Sequence, residues 1–189
     1  MFESTVYLEH VPPAAADGEL AAKHLARWQS ETTTPGVPWL SGHQLAQRIE
    51  ATHLDWSAVE DARAEALWSD RGRLLARLAS VPMVLSHGDF HLDNLRADAG
   101  DTVALDWGTF GLAPVGADLA HLALSVREDL VPAYLAAVGG RFEEHQVVDG
   151  YRCTLVLVGA SRVHWMLARG IEPPQGYVDF LWANRPAVD

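Results

Sequence analysis

With 189 residues, 49% of them apolar and 21% charged, the chain is sized and balanced for one folded domain with a single core, and it is short for two. A net charge of −11 leaves no basic face to neutralise phosphates, so nucleic acid is not expected as a partner; the acidity suits a cationic ligand or simply a solvated surface. No apolar run is long enough to cross a bilayer, Glu3 and Glu9 stand where a signal peptide would be basic and then apolar, and the one cysteine, Cys153, cannot pair within the chain, so a cytoplasmic protein with no membrane partner is expected.

Residues 4–11 are β-prone and closed by Pro12-Pro13, which predicts a strand running into a turn. Asp17 is placed to cap a helix whose apolar stripe is Leu20, Ala21, Leu25 and Trp28. Pro35, Gly36 and Pro38 impose a loop, and Ser41 with Gln44 forms a capping box for a short helix through Leu45 and Ile49. A longer helix is expected from Asp55 or Ser57 to Leu78, with Val59, Ala62, Ala66, Leu67, Leu74, Leu75 and Leu78 on one period, weakened at Gly72 and ended by Pro82.

Val81 to Ser86 predicts a short buried strand, followed by the polar segment His87 to Asn94. Asn94–Ala97 and Thr102–Asp106 are two brief β runs joined through Asp98-Ala99-Gly100-Asp101, which predicts a hairpin. Helices are expected over 118–126, 129–138, 143–169 and 177–183, with Pro132 tolerated in a first turn. The fold class is therefore α+β, mainly helical, with a small central β-hairpin that carries the chemistry.

That hairpin collects the residue types phosphoryl transfer needs. Asn94 follows Asp89 by five positions, and Asp106-Trp107-Gly108 ends the second strand. Antiparallel pairing is expected to set Asn94 opposite Asp106, giving an amide oxygen and a carboxylate side by side, a hard-oxygen pair suited to Mg²⁺. Asp89 at the mouth of the same loop is then free to orient or accept an acceptor's hydroxyl proton. Singly, Asp89 and Asn94 read as turn caps. His91 and His121 lack zinc-ligand spacing and read as structural, Gly88 and Gly108 as turn residues, and Asp93 as a solvated carboxylate. The tryptophans read mainly as packing, with an aromatic box for a quaternary ammonium as the alternative.

The motifs His87-Gly88-Asp89-Phe90-His91-Leu92-Asp93-Asn94, Val103-Ala104-Leu105-Asp106-Trp107-Gly108 and Gly116-Ala117-Asp118-Leu119-Ala120 resemble those of the aminoglycoside phosphotransferase and choline-kinase-like family, relatives of the protein kinases. The resemblance implies a kinase-like fold and an ATP-dependent phosphotransferase that moves the γ-phosphate to a hydroxyl of a small molecule. It implies Asp89 as the catalytic base or hydroxyl-orienting group, Asn94 and Asp106 as the Mg²⁺ ligands, and His87 and Asp118 as braces of the catalytic loop. Residues 4–11 resemble the strand linking the two lobes, so the backbone at Leu8, Glu9 and His10 would hold the adenine edge of ATP.

On this resemblance residues 1–189 form one kinase-like C-terminal lobe, with the N-terminal ATP lobe largely absent. Only Met1-Phe2-Glu3 precede the linker-like strand, no glycine-rich phosphate loop follows an early strand, and the one lysine, Lys23, falls on a helix of the wrong lobe. A truncated enzyme, a misplaced start, or an enzyme completed by a protein partner that covers the missing lobe are the expectations. The alternative is a non-catalytic binding or regulatory module.

Overall fold

The computed structural model describes residues 16–32 and 44–187. The expected strand 4–11, with Leu8, Glu9 and His10, and the Ser41 cap lie outside the described residues.

Helix α1 (Gly18–Glu31) begins at Asp17, whose carboxylate accepts the Leu20 N–H at 2.7 Å, and it buries Ala21, Ala22, Leu25 and Ala26. Helix α2 (Gln44–Ala51) follows, burying Leu45 and Ile49. The single long helix expected to Leu78 is instead a 3₁₀ turn at Trp56–Ala58, then α3 (Ala62–Ser69) and α4 (Arg71–Leu78). Asp61 is the effective cap, accepting from the Arg63 and Ala64 N–H groups, and Asp70 both ends α3 and begins α4 beside the weak helix former Gly72.

Strands β1 (Met83–Ser86), β2 (Leu95–Asp98), β3 (Asp101–Ala104) and β4 (Gly111–Pro114) make two antiparallel pairs. β2 and β3 form the expected hairpin, turning through Ala99 (φ +48°) and Gly100 (φ +92°), a two-residue turn with both centres left-handed. β1 pairs with β4, from Met83 with Pro114 to Ser86 with Gly111, a second pair beyond the single hairpin expected.

Helices α5 (Ala117–Val126), α6 (Val131–Ala137), α7 (Glu144–Leu167) and α8 (Tyr177–Ala183) complete the chain. α7 is the axis of the core: it packs on α3, α4, α5, α6 and α8, and buries Val147, Tyr151, Leu155, Val156, Leu157 and Val163. Its close approach to the turn before α5 requires Gly150, where a Cβ would stand 1.8 Å from the Val115 carbonyl oxygen. This packing fixes α5 against the end of β1, where Ser86, His87 and Asp118 gather.

Candidate active site

Asp118 lies in the first turn of α5 and is 1% exposed. Its carboxylate accepts hydrogen bonds from Ser86 Oγ (2.8 Å), the His87 N–H (2.9 Å) and the Gly88 N–H (3.0 Å). Gln29 of α1 adds a longer contact to Asp118 (3.4 Å), donates to the Leu85 carbonyl (3.0 Å), and accepts from the Tyr134 hydroxyl (2.7 Å). Burying a carboxylate is costly unless donors surround it, and here they come from the strand end and turn that lead to Asp89.

His87 is fully buried. Its Nδ1 accepts the Asp89 N–H (3.3 Å), which puts the ring proton on Nε2, facing the Leu105 carbonyl at 2.8 Å. One imidazole thus ties the loop bearing Asp89 to the strand end bearing Asp106. A second tie runs from Thr109 Oγ1 to the His87 carbonyl (2.9 Å). The backbone reverses at Gly88 (φ +81°), where a Cβ would come within 2.4 Å of the Thr109 carbonyl oxygen.

The two oxygens of the Asp89 carboxylate face different neighbours. Oδ2 accepts from Asn94 Nδ2 (3.3 Å) and lies 3.2 Å from His91 Nε2. Oδ1 lies 3.6 Å from His121 Nδ1 and 3.8 Å from the Arg162 guanidinium. The His121 contact first, then the electrostatic influence of the neighbouring His91, His121 and Arg162, holds this carboxyl well below the usual carboxylate range, against the upward push of partial burial. His121 is 4% exposed, and its Nδ1 has no hydrogen-bond partner at normal range. Burial, opposed by Asp89 and reinforced by Arg162 and Arg48, pushes the His121 pKa down and keeps its ring neutral.

Asn94 Nδ2 also donates to the Asp89 carbonyl (3.0 Å), which leaves the side-chain oxygen of Asn94 unspent. The register differs from the one expected: Leu95 faces Ala104, so Asn94 falls opposite Leu105, whose N–H donates to the Asn94 carbonyl at 2.8 Å. The two-residue turn sets that register, one step short of Asp106. Asp106 then leaves the strand in the left-handed region (φ +57°), a conformation that costs a non-glycine residue and recurs at functional sites. Its exposed carboxylate takes no hydrogen bond or ion pair among the described residues.

Asp89, Asn94, His87 and Asp118 are therefore joined through one hydrogen-bonded network, while Asp106 is linked to it by backbone, through Leu105. Asn94 and Asp106 offer an amide oxygen and a free carboxylate, a donor set that fits a small hard cation. No cluster of three or more His, Cys, Asp or Glu among the described residues is placed to hold a metal, so an ion here would complete its shell with phosphate oxygens and water.

Three participants were not legible as such. His121 shares the Asp118 face of α5 by its three-residue spacing, which was the available signal. Arg162 of α7 and Arg48 of α2 reach the same place only through the fold. With Asp89 and His121, and with the Thr52 and Ser161 side chains, they line a cleft of about 250 Å³. Elsewhere the aromatic residues pack on one another or on arginines: Trp107 lies 4.7 Å from the His87 ring and 5.7 Å from Trp28, and Arg169 and Arg185 each lie 4.4 Å over Trp165 and Trp182.

The chain belongs to the phosphotransferase enzyme family, whose model matches residues 3–154. Among curated proteins no sequence matches at a significant level. Solved structures of similar fold include the choline kinase LicA from Streptococcus pneumoniae, with a TM-score of 0.58, 16% identity, 90% of this chain covered and 64% of that one. The aminoglycoside phosphotransferase APH(3'')-Id from Streptomyces rimosus gives 0.52 at 22% identity, covering 80% and 67%. The amicoumacin kinase hAmiN, solved with AMP-PNP, Ca²⁺ and Ami, gives 0.54 at 12% identity, covering 92% of this chain and 61% of that one. At these identities the likeness establishes the fold, mainly helical with small two-stranded sheets and of the type these kinases share. The chain spans about three fifths of the length of the choline kinase and the amicoumacin kinase. Among the described residues no helix is long and apolar enough to cross a membrane.

Proposed function

We propose that this chain transfers the γ-phosphate of ATP to a hydroxyl group of a small molecule, in the cytoplasm, with Asp89 addressing the hydroxyl and Asn94 and Asp106 holding Mg²⁺. The observation that supports the reading is the Asp89–Asn94 contact at 3.3 Å, with His87 bonded to the carbonyl of Leu105, the residue before Asp106. It is supported by the family to which the chain belongs and by what similar structures contain: an ATP analogue in the amicoumacin kinase, and ADP with streptomycin in the aminoglycoside phosphotransferase.

In the reaction the acceptor oxygen forms a bond to the γ-phosphorus, the bond to the β–γ bridging oxygen breaks, and ADP leaves. Asp89 is held too acidic to be a strong base toward a free alcohol. Its role is to accept the hydroxyl's hydrogen bond and aim the oxygen, taking the proton only as the phosphoryl group arrives, which a loose transition state permits. Bound at Asn94 and Asp106, Mg²⁺ would neutralise phosphate charge. His87 and Asp118 act as positioning residues, because they touch the loop backbone and not the reacting atoms.

We read residues 1–189 as one unit, the acceptor-binding lobe, with residues 4–11 as the inter-lobe strand and the backbone at Leu8, Glu9 and His10 as the adenine edge. Lys23 is engaged with Glu19 at 2.5 Å on α1. In this reading a protein partner supplies the phosphate-holding groups of the nucleotide lobe.

ADP release with Mg²⁺, ATP and a mixed panel of hydroxylated acceptors, measured on the chain with and without the product of a neighbouring gene, tests this. Turnover should fall by at least about 10²-fold in Asp89→Asn and Asp106→Ala while circular dichroism stays unchanged. Turnover retained in both variants, or none in any combination, would leave the non-catalytic binding module as the better reading.

A further inference from the structure

The charge of the cleft beside Asp89 is opposite to that of the whole chain. Arg48 and Arg162 both line it together with His121, whose pKa burial pushes down, and Asp89 is the acid among its described lining residues. Both oxygens of that acid already face donors. Arg48 is exposed and has neither hydrogen bond nor ion pair for its guanidinium among the described residues. Arg162 meets Asp89 only at 3.8 Å, the far end of ion-pair range, and its guanidinium also interacts with the Tyr177 hydroxyl. Asp93 stands beyond Arg162, but its side chain is 96% exposed and shared with His91, which leaves it solvated.

We infer that the acceptor is a small hydroxylated anion, carrying a carboxylate or phosphate group that Arg48 and Arg162 clamp while its hydroxyl meets Oδ1 of Asp89. This rests on the phosphotransfer reading and names the substrate class of the same site. Two guanidiniums against one engaged carboxylate repel an ammonium, and no Phe, Tyr or Trp ring among the described residues lines the cleft to receive a quaternary amine. Guanidinium forks match carboxylate and phosphate. Leu45, Ile49 and Val158 supply an apolar wall for a short carbon skeleton in a cleft of about 250 Å³.

A nucleotide phosphate could use the same guanidiniums, but the placement argues against it. The arginines face Oδ1 of Asp89, whereas Asn94 and His91 face Oδ2. The clamp and the proposed ion therefore lie on different sides of one carboxylate.

Titration calorimetry separates these readings without needing turnover. D-gluconate and D-glycerate are titrated against their neutral counterparts D-glucose and glycerol, against choline, and against AMP-PNP with Mg²⁺, on the wild type and on Arg48→Gln, Arg162→Gln and Asp106→Ala. The acids should bind at least about tenfold tighter than the neutral alcohols and than choline, and each arginine variant should lose about tenfold in acid affinity. Acid binding should survive in Asp106→Ala, so it stands or falls separately from phosphotransfer. Choline binding as tightly as the acids, acids no better than the alcohols, or arginine variants that lose AMP-PNP and keep the acids would each overturn the inference.

Discussion

His121 Nδ1 stands 3.6 Å from Asp89 Oδ1, buried and without a hydrogen-bond partner at normal range. The pair has a pH signature with a definite sign. The folded pKa of His121 is depressed from 6.5 by burial first, so the unfolded chain binds more protons below that value and stability falls as pH drops through it. Asp89 is likewise depressed, from 3.8, chiefly by His121, and adds a second loss below that point. Urea midpoints measured from pH 8 to pH 4 should decline beginning near 6.5, and His121→Asn should remove that first decline. An unchanged decline in the variant would assign it to other groups.

Asp118 accepts from three donors, of which one has a second acceptor. Asp118→Ala leaves the Ser86 hydroxyl and the His87 N–H buried without their acceptor, at a cost of about 2–3 kcal/mol, while the Gly88 N–H keeps its bond to Ser86 Oγ (3.0 Å). Urea unfolding should show a lower midpoint at unchanged slope, and Asp118→Asn, which keeps one acceptor oxygen, should recover part of it.

Gly150 tests the seam between α7 and the turn before α5. A Cβ there would sit 1.8 Å from the Val115 carbonyl oxygen, which the packed backbone cannot yield. Gly150→Ala should destabilise by about 3 kcal/mol, in contrast to Gly139→Ala, whose added Cβ meets nothing within 4 Å, although its left-handed backbone still carries a smaller strain. Thermal unfolding of the two variants side by side checks the difference.

Tyr134→Phe removes the hydroxyl that donates to Gln29 at 2.7 Å and leaves the amide oxygen of Gln29 buried and unsatisfied. The expected cost is about 1–2 kcal/mol. Because Gln29 also contacts Leu85 and Asp118, loosening should extend to the loop of Asp89, read as faster amide exchange at His87 and Gly88.

The sequence made the helices and the central motif legible because both depend on local spacing. Leu20, Ala21 and Leu25 mark one face of α1, and Asp89 and Asn94 stand close enough in sequence to share a loop. What it hid depends on contacts between distant segments. β4 is four residues ending in Gly111 and Pro114, a signal too short to read without its partner β1. The break at Asp70 interrupts an apolar period that itself continues unbroken. The two β runs read from the sequence, Asn94–Ala97 and Thr102–Asp106, are unequal in length, so matching their far ends sets Asn94 opposite Asp106, whereas pairing outward from the Ala99-Gly100 turn sets it opposite Leu105. Arg48 and Arg162 carry no motif, so the local positive charge beside Asp89 was hidden behind a net charge of −11.

The central claim is that Asn94 and Asp106 jointly hold an ion that joins a nucleotide to Asp89. Calorimetric titration of Mn²⁺ into the chain with saturating AMP-PNP, read also by the electron paramagnetic resonance of the bound ion, measures this most directly. Nucleotide-dependent Mn²⁺ binding should be present in the wild type and weakened by at least about tenfold in both Asn94→Ala and Asp106→Ala. Equal Mn²⁺ affinity in the wild type and both variants would contradict the account.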